Sequence, residues 1–314
     1  MTTHIVNILF LGASKRTTLL EDFISTAKEL NIDIKLYSCE LSSNFCPISH
    51  LSTILEGPEF TDKSFQKWLK NTIQKYNINI VIPNMDSATV ALSEFKNNNK
   101  DLNCEFVVSD YELCYTMNNK ILADNFFKRN NIITFPNTEN VYPKILKYKL
   151  GFGAHNQYIV EDKSYFDYLK NKLSTTDYIV QDYLKGKETS VDFYITKNGE
   201  LTGYVLRDRL SVSDGEVMDC ITREPNDEEK DLIEKIVNIK GWRGCITLQY
   251  INYKNNYYVV EINPRFGGGA TCAIACGLNM PKYIIQEYLG VNIDKPELKK
   301  LKMVRSRRDF YYEY

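Results

Sequence analysis

Glu261 and Asn263 flank a single isoleucine in the stretch VVEINPRFGGGAT (Val259 to Thr271), and Arg265 follows two positions later, before three consecutive glycines. On a strand, residues two apart project from the same face, so these two oxygen-bearing side chains would stand side by side. The run before it, GCITLQYINY, is separated from YYVVEINPRF only by the short turn KNN, and a hairpin there would bring Gln249 beside them. Three oxygen donors, one of them anionic, suit a hard cation. Mg²⁺ keeps waters and substrate phosphate oxygens in its remaining positions. Taken alone, Glu-x-Asn also describes a solvent-facing strand edge.

Two further stretches carry chemistry. KYKLGFGAHN follows the strand-like YPKIL and contains Gly151, Gly153 and Ala154. Glycines there allow unusual backbone angles and let N–H groups approach an anion closely, although a lone G-x-G also marks a tight hairpin. Lys147 stands at the end of that strand, and Lys120 opens the preceding helical pattern. YIVQDYLKGKE reads as a strand running into a linker with Gly186 and Glu188. Such a crossing can offer backbone groups to an adenine edge and a carboxylate to ribose hydroxyls; its plain alternative is a hinge glycine with a surface glutamate.

These residues need a scaffold. VNILFLGAS reads as a buried strand ending in a small-residue turn, and Thr17 to Leu30 has helical periodicity. Alternating strand and helix patterns continue to CEFVVSD, so the first third is expected to be a small Rossmann-like layered α/β domain over residues 1–113. From about Tyr111 the pattern becomes helix, short strands and glycine-bearing turns, an antiparallel α+β arrangement over 114–314, with a tight hinge expected near Cys114 to Asn119. NDEEKDLIEKIVNIKG is a helix with Asn226 and Asp227 as candidate caps. Asp86, in PNMDSATV, reads as a helix N-cap. The basic tail KPELKKLKMVRSRRDF reads as a solvated segment closing the fold.

Composition narrows the possibilities. A formal net charge of −1 argues against bulk capture of nucleic acid or membrane. No apolar run is long enough to span a bilayer, and the N-terminus lacks the basic region of a signal peptide. The eight cysteines form no CxxC pair and read as reduced thiols of a cytoplasmic protein.

Each signal is modest, but their order is specific: lysine; strand, lysine and glycine loop; Q-D-Y-L…G-K-E; a glutamine strand; E-I-N-P-R. From about Tyr111 to Gly290 that order resembles the ATP-grasp superfamily. It is similar to single-copy members related to one half of the carbamoyl-phosphate synthase large subunit, and to amino-acid ligases with a small Rossmann-like (pre-ATP-grasp) domain in front. The resemblance implies a lid subdomain at roughly 114–184 and a catalytic subdomain at roughly 185–314. It implies that Lys120 and Lys147 contact ATP phosphates and that Gly151, Gly153 and Ala154 belong to a phosphate-covering loop. Gln181, Tyr183 and Leu184 would line the adenine pocket, with Glu188 on the ribose. Gln249, Glu261 and Asn263 would hold Mg²⁺ (Mn²⁺ being the substitute), and Arg265 would stabilise charge on the transferring phosphoryl group. Arg209, and with it Arg207, would add positive charge.

The implied activity is ATP-dependent joining of a small-molecule carboxylate to an amine, in a protein that forms homodimers in many relatives. The chain departs from the pattern at Gln181, where many relatives have Glu, and at the AHN that continues the glycine loop. Three rivals stand beside it: an ATP-grasp kinase, a non-catalytic nucleotide-binding module, and a dinucleotide oxidoreductase resting on LGASKR alone.

Overall fold

The computed structural model describes residues 5–44, 46–151, 156–213 and 215–312. Its first part is built from β1 (Val6–Leu11), α1 (Thr17–Glu29), β2 (Ile34–Glu40), β3 (Thr53–Glu56), α2 (Phe65–Tyr76), β4 (Ile80–Pro83), α3 (Asp86–Asn98) and β5 (Glu105–Phe106). The strands form a parallel five-stranded sheet in the order β3-β2-β1-β4-β5. β1 is an almost unbroken apolar run because helices cover both faces of such a sheet. β3 was not expected; four residues are too few for an alternating pattern to stand out. The strand order reverses between β1 and β4, so a crevice lies beyond the C-terminal ends of those two strands.

The expected hinge around Cys114 is instead α4 (Tyr111–Met117), and the break falls at Asn118 and Asn119, before α5 (Lys120–Arg129). The Asn119 side chain caps α5 by accepting from the Ile121 and Leu122 amides, which sets Lys120 in the first turn. Both helices share a core, through Leu113, Met117 and Phe127, with Ile246 and Leu248 of the large sheet described below and with Leu232 of the helix that packs on it.

A small antiparallel sheet follows, from β6 (Lys144–Tyr148), β7 (Gln157–Val160) and β8 (Tyr178–Asp182), with α6 (Lys163–Lys172) between the last two. It has its own core of Leu146, Val160 and Leu169. The remaining chain runs β9 (Lys187–Ile195), β10 (Leu201–Ser213), β11 (Glu216–Arg223), α7 (Asp227–Val237), β12 (Gly244–Tyr253), β13 (Asn256–Asn263), α8 (Ala270–Ala275), α9 (Met280–Leu289) and β14 (Lys302–Val304). Its six strands form an antiparallel sheet ordered β13-β12-β9-β10-β11-β14. The basic tail therefore supplies an edge strand, whereas a solvated segment was expected.

One core joins the parallel sheet to the large one. Phe10 meets Phe23 edge-on at 5.0 Å, and Phe23 meets Phe266 at 6.1 Å. Arg243 adds a buried polar tie, pairing with Glu105 on β5 (2.8 Å) and Glu287 on α9 (2.6 Å).

Asn226 caps α7 in a reciprocal box. Its side chain accepts from the Glu229 amide at 2.9 Å, and Glu229 accepts from the Asn226 amide at 3.0 Å. Asn226→Ala should therefore cost about 1 kcal/mol. Urea unfolding should show a lower midpoint with an unchanged slope; an unchanged midpoint would show that the cap is idle.

Candidate active site

The β12–β13 hairpin turns at Lys254 and Asn255, both with positive φ (51° and 60°), the twist that a two-residue hairpin turn requires. This turn starts the register at Tyr253 opposite Asn256. A bulge at Val260 then shifts it, so that Gln249 opposes Glu261 and Thr247 opposes Asn263. Without the extra residue Gln249 would face Val260. The bulge thus swings both oxygen-bearing side chains of EIN onto the face that Gln249 shares.

The three predicted metal ligands meet on one oxygen. Asn263 Nδ2 donates to Glu261 Oε1 at 2.8 Å. The Gln249 amide, with its oxygen accepting from Arg209 Nη1 at 2.6 Å, donates to the same Oε1 at 3.2 Å. Glu261 brings the only negative charge of the trio. Rotating the two amides would present their oxygens instead, a donor set of the hard kind that Mg²⁺ accepts. Among the described residues no three His, Cys, Asp or Glu side chains form a metal cage. A divalent ion here would therefore take its remaining oxygens from phosphate and water.

Lys147 faces this trio from β6. Its side chain is buried, with the ammonium 5.2 Å from the Phe135 ring centroid. Burial lowers its pKa to about 8; Lys120 pushes the same way, while Glu261 and Glu188 pull it back up. Lys120 Nζ donates to the Gly151 carbonyl at 2.7 Å, tying the first turn of α5 to the start of the glycine loop. Gly151 has φ 103° with open space around it, a conformation that favours glycine. Gly153 and Ala154, with His155 after them, lie outside the described residues.

One cleft is lined by Lys120, Lys147, Gly151, Gln181, Glu261 and Asn263, with Asp86 at its edge. Six of the predicted site residues thus share one space. The linker after β8 is more selective than expected about which groups it offers. The Tyr183 amide is already spent on the Pro143 carbonyl (2.9 Å). Glu188 lies 3.2 Å from Arg209 Nη1.

The arginines depart most from expectation. Arg265 binds Asp86 in a two-pronged pair, Nε to Oδ1 at 2.6 Å and Nη2 to Oδ2 at 3.0 Å. Asp86 is therefore not the helix cap it was read as: the capping position belongs to Met85, and the Asp86 carboxylate serves a partner 179 residues away. Arg209 bridges Glu188 and Gln249 and also donates to the Gly215 carbonyl at 2.9 Å. Arg207 is fully buried, paired to Asp192 at 2.6 Å. Any side chain at Gly269 would overlap the Arg207 guanidinium, one reason the triple glycine gives up its side chains.

A family model described as "ATP-grasp in the biosynthetic pathway with Ter operon" matches residues 174–309. The carbamoyl phosphate synthase large chain of Clostridium botulinum is 29% identical over 138 residues, 40% of this chain and 13% of that protein. The chain thus spans a small part of the curated relatives it matches. N5-carboxyaminoimidazole synthetase from Staphylococcus aureus, solved with ADP, superposes with a TM-score of 0.76 at 16% identity, covering 97% of this chain and 83% of that one. The biotin carboxylase domain of Hydrogenobacter thermophilus 2-oxoglutarate carboxylase, a dimer solved with MgADP, ADP and bicarbonate, gives 0.71 at 15% identity, covering 91% and 70%. Residues 174–309 thus match an ATP-grasp family model, and the chain shares its fold with these two solved structures over 97% and 91% of its length. The aligned stretch relates it to the carbamoyl phosphate synthase large chains.

Among the described residues, no helix is long and apolar enough to cross a membrane.

Proposed function

We propose that the protein is an ATP-dependent ligase joining a small-molecule carboxylate to an amine, with release of ADP and phosphate. The observation that supports it best is the convergence in one cleft of Lys120, Lys147, Gly151, Gln181, Glu261 and Asn263. The cleft has a cationic wall from β6 and α5 facing an oxygen-donor wall from β13. A triphosphate needs both, one to meet its charge and the other to hold its metal.

In this reading Lys147 and Lys120 bind phosphates, and Gly151 opens the loop that covers them. Gln181 and the Leu184 amide face the base, and Glu188 the ribose. Glu261, Asn263 and Gln249 would hold Mg²⁺, which shields phosphate charge when bound. The substrate carboxylate attacks the γ-phosphorus and displaces ADP, giving an acylphosphate. The amine then attacks the acyl carbon, and phosphate leaves. The protein's part is to position and to stabilise charge, with closure of the loop keeping water from the acylphosphate.

We read the parallel-sheet unit, residues 1–113, as the Rossmann-like pre-ATP-grasp domain. We read 114–184 as the lid subdomain, with α5 and the end of α4 anchored on the large sheet, and 185–314 as the catalytic subdomain. A cytoplasmic homodimer fits this reading.

The test is turnover with ATP, Mg²⁺ and a panel of carboxylates paired with amines, measuring ADP and phosphate together. Stoichiometric release that needs both partners is expected. Phosphate transfer to an alcohol, with no carboxylate active, would make the protein a kinase and end the ligase reading.

A further inference from the structure

Three successive carbonyls of the glycine turn, Phe266, Gly267 and Gly268, receive three guanidiniums from three separate parts of the chain. Arg16, in the turn between β1 and α1, donates to Phe266 O at 2.6 Å and Gly267 O at 2.9 Å. Arg265 reaches Phe266 O at 3.2 Å. Arg305, just after β14, donates to Gly268 O.

The three guanidiniums differ in their anionic partners. Arg265 is neutralised by the two-pronged pair with Asp86. Among the described residues Arg305 pairs with Glu216 alone, at 3.5 Å and largely exposed. Arg16 has no carboxylate partner among the described residues; what it holds are neutral carbonyls. Among the described residues Arg16 is thus the one of the three guanidiniums with no carboxylate at ion-pair distance. Its pKa is pulled down to about 10, first by burial and then by Arg265, with Arg305 adding to the repulsion against Glu216 and Asp86. A cation kept in such a place is costly unless something anionic visits it.

The position is suggestive as well. Arg16 follows the end of β1 and Asp86 follows the end of β4, so both stand at the crevice where the strand order reverses, where open parallel sheets bind ligands. Asp86 also lines the cleft that holds Lys147 and Glu261. Arg16 is therefore one ion pair away from that cleft, sharing the Phe266 carbonyl with Arg265, which pairs with Asp86.

We infer that Arg16, with Arg305 at its rim, forms a binding site for an anionic group, carboxylate or phosphate, carried by the amine substrate. A guanidinium suits either group, and either would give Arg16 the anionic partner it lacks among the described residues. This rests on the ligase reading for the statement that the group rides on the amine. The anion site itself rests on the arginines alone. The substrate class named is an amino acid or a phosphorylated amine.

Calorimetric titration of the whole protein tests it, in the presence of Mg²⁺ and the non-hydrolysable AMP-PNP and again without nucleotide. The probes are glycine against glycinamide and phosphoethanolamine against ethanolamine. In at least one pair the anionic member should bind at least tenfold more tightly, and which pair it is tells carboxylate from phosphate. Arg16→Gln should bring that ratio within about twofold of unity. Should this variant fail to fold, Arg305→Gln decides, and must lower the ratio at least threefold. Equal binding within both pairs, or a ratio untouched by the substitution, would overturn the inference and leave Arg16 as a clamp on the turn. Failure to bind AMP-PNP would count against the ligase reading only, because the nucleotide-free titration still reads the anion site.

Discussion

Glu261→Ala protein should turn over about a thousandfold more slowly than the unmutated protein while melting within a few degrees of it. The carboxylate is the one anion of the oxygen trio, and both neighbouring amides point at its Oε1. A bound metal supplies several kcal/mol of charge stabilisation in phosphoryl transfer, and each 1.4 kcal/mol is a factor of ten. A site left with two neutral amides keeps little of that. Stability should hardly move, because Glu261 is only half-buried and the amides it releases can hydrogen-bond to water.

Nucleotide binding distinguishes metal loss from general damage. Without Mg²⁺, Glu261 repels a triphosphate, so the variant should bind metal-free ATP at least as well as the unmutated protein does. With Mg²⁺ the normal gain in affinity should disappear. Titrations with Mg²⁺ and with EDTA give both numbers. A variant that keeps its full Mg²⁺-dependent gain would remove Glu261 from any metal site.

Legibility in the sequence followed the range of the interactions. Gln249, Glu261 and Asn263 could be placed together because a hairpin and a two-residue spacing are local, although the bulge at Val260 that completes the register has no signature in YYVVEIN. Lys147 could be set on a strand for the same reason. Helix α7 and its Asn226 cap follow from four consecutive residues. Asp86 was misread because a cap is the local use of an aspartate before a helix, whereas its partner, Arg265, comes from the other end of the fold.

LGASKR drew attention only for its single glycine, as a faint dinucleotide signal. Its arginine turned out to be the informative residue, through carbonyls about 250 positions away. Nor could YIVQDYL show that the Tyr183 amide is spent on Pro143. The partners of a guanidinium, and the consumption of backbone donors, are tertiary facts. They are also what turns a list of motif residues into a statement about which atoms are still free for a ligand.

Lys147 carries the second large effect, and here the sign identifies the residue. Its pKa is about 8 in the folded chain, mainly through burial, and 10.5 is its ordinary value. Between those two pH values the unfolded chain binds more protons than the folded one, so stability should rise with pH across that window. Below about pH 8 the ammonium is charged in both states, and the penalty for burying it is fully present. Nucleotide binding should run the other way. Phosphate oxygens favour the ammonium, so the complex holds a proton that the free protein gives up above pH 8. Affinity for MgATP should then fall by up to tenfold per pH unit from about pH 8 upward. Lys147→Arg, charged throughout this range, should abolish the slope in affinity. Lys147→Met should abolish it too, and weaken binding at pH 7 by about ten- to a hundredfold, the worth of a charge-assisted hydrogen bond. The measurements are denaturant midpoints and MgATP titrations at half-unit steps from pH 7 to 10. Few single groups move stability and affinity in opposite directions over one window, so parallel trends, or a slope that survives Lys147→Arg, would place the phosphate-binding cation elsewhere.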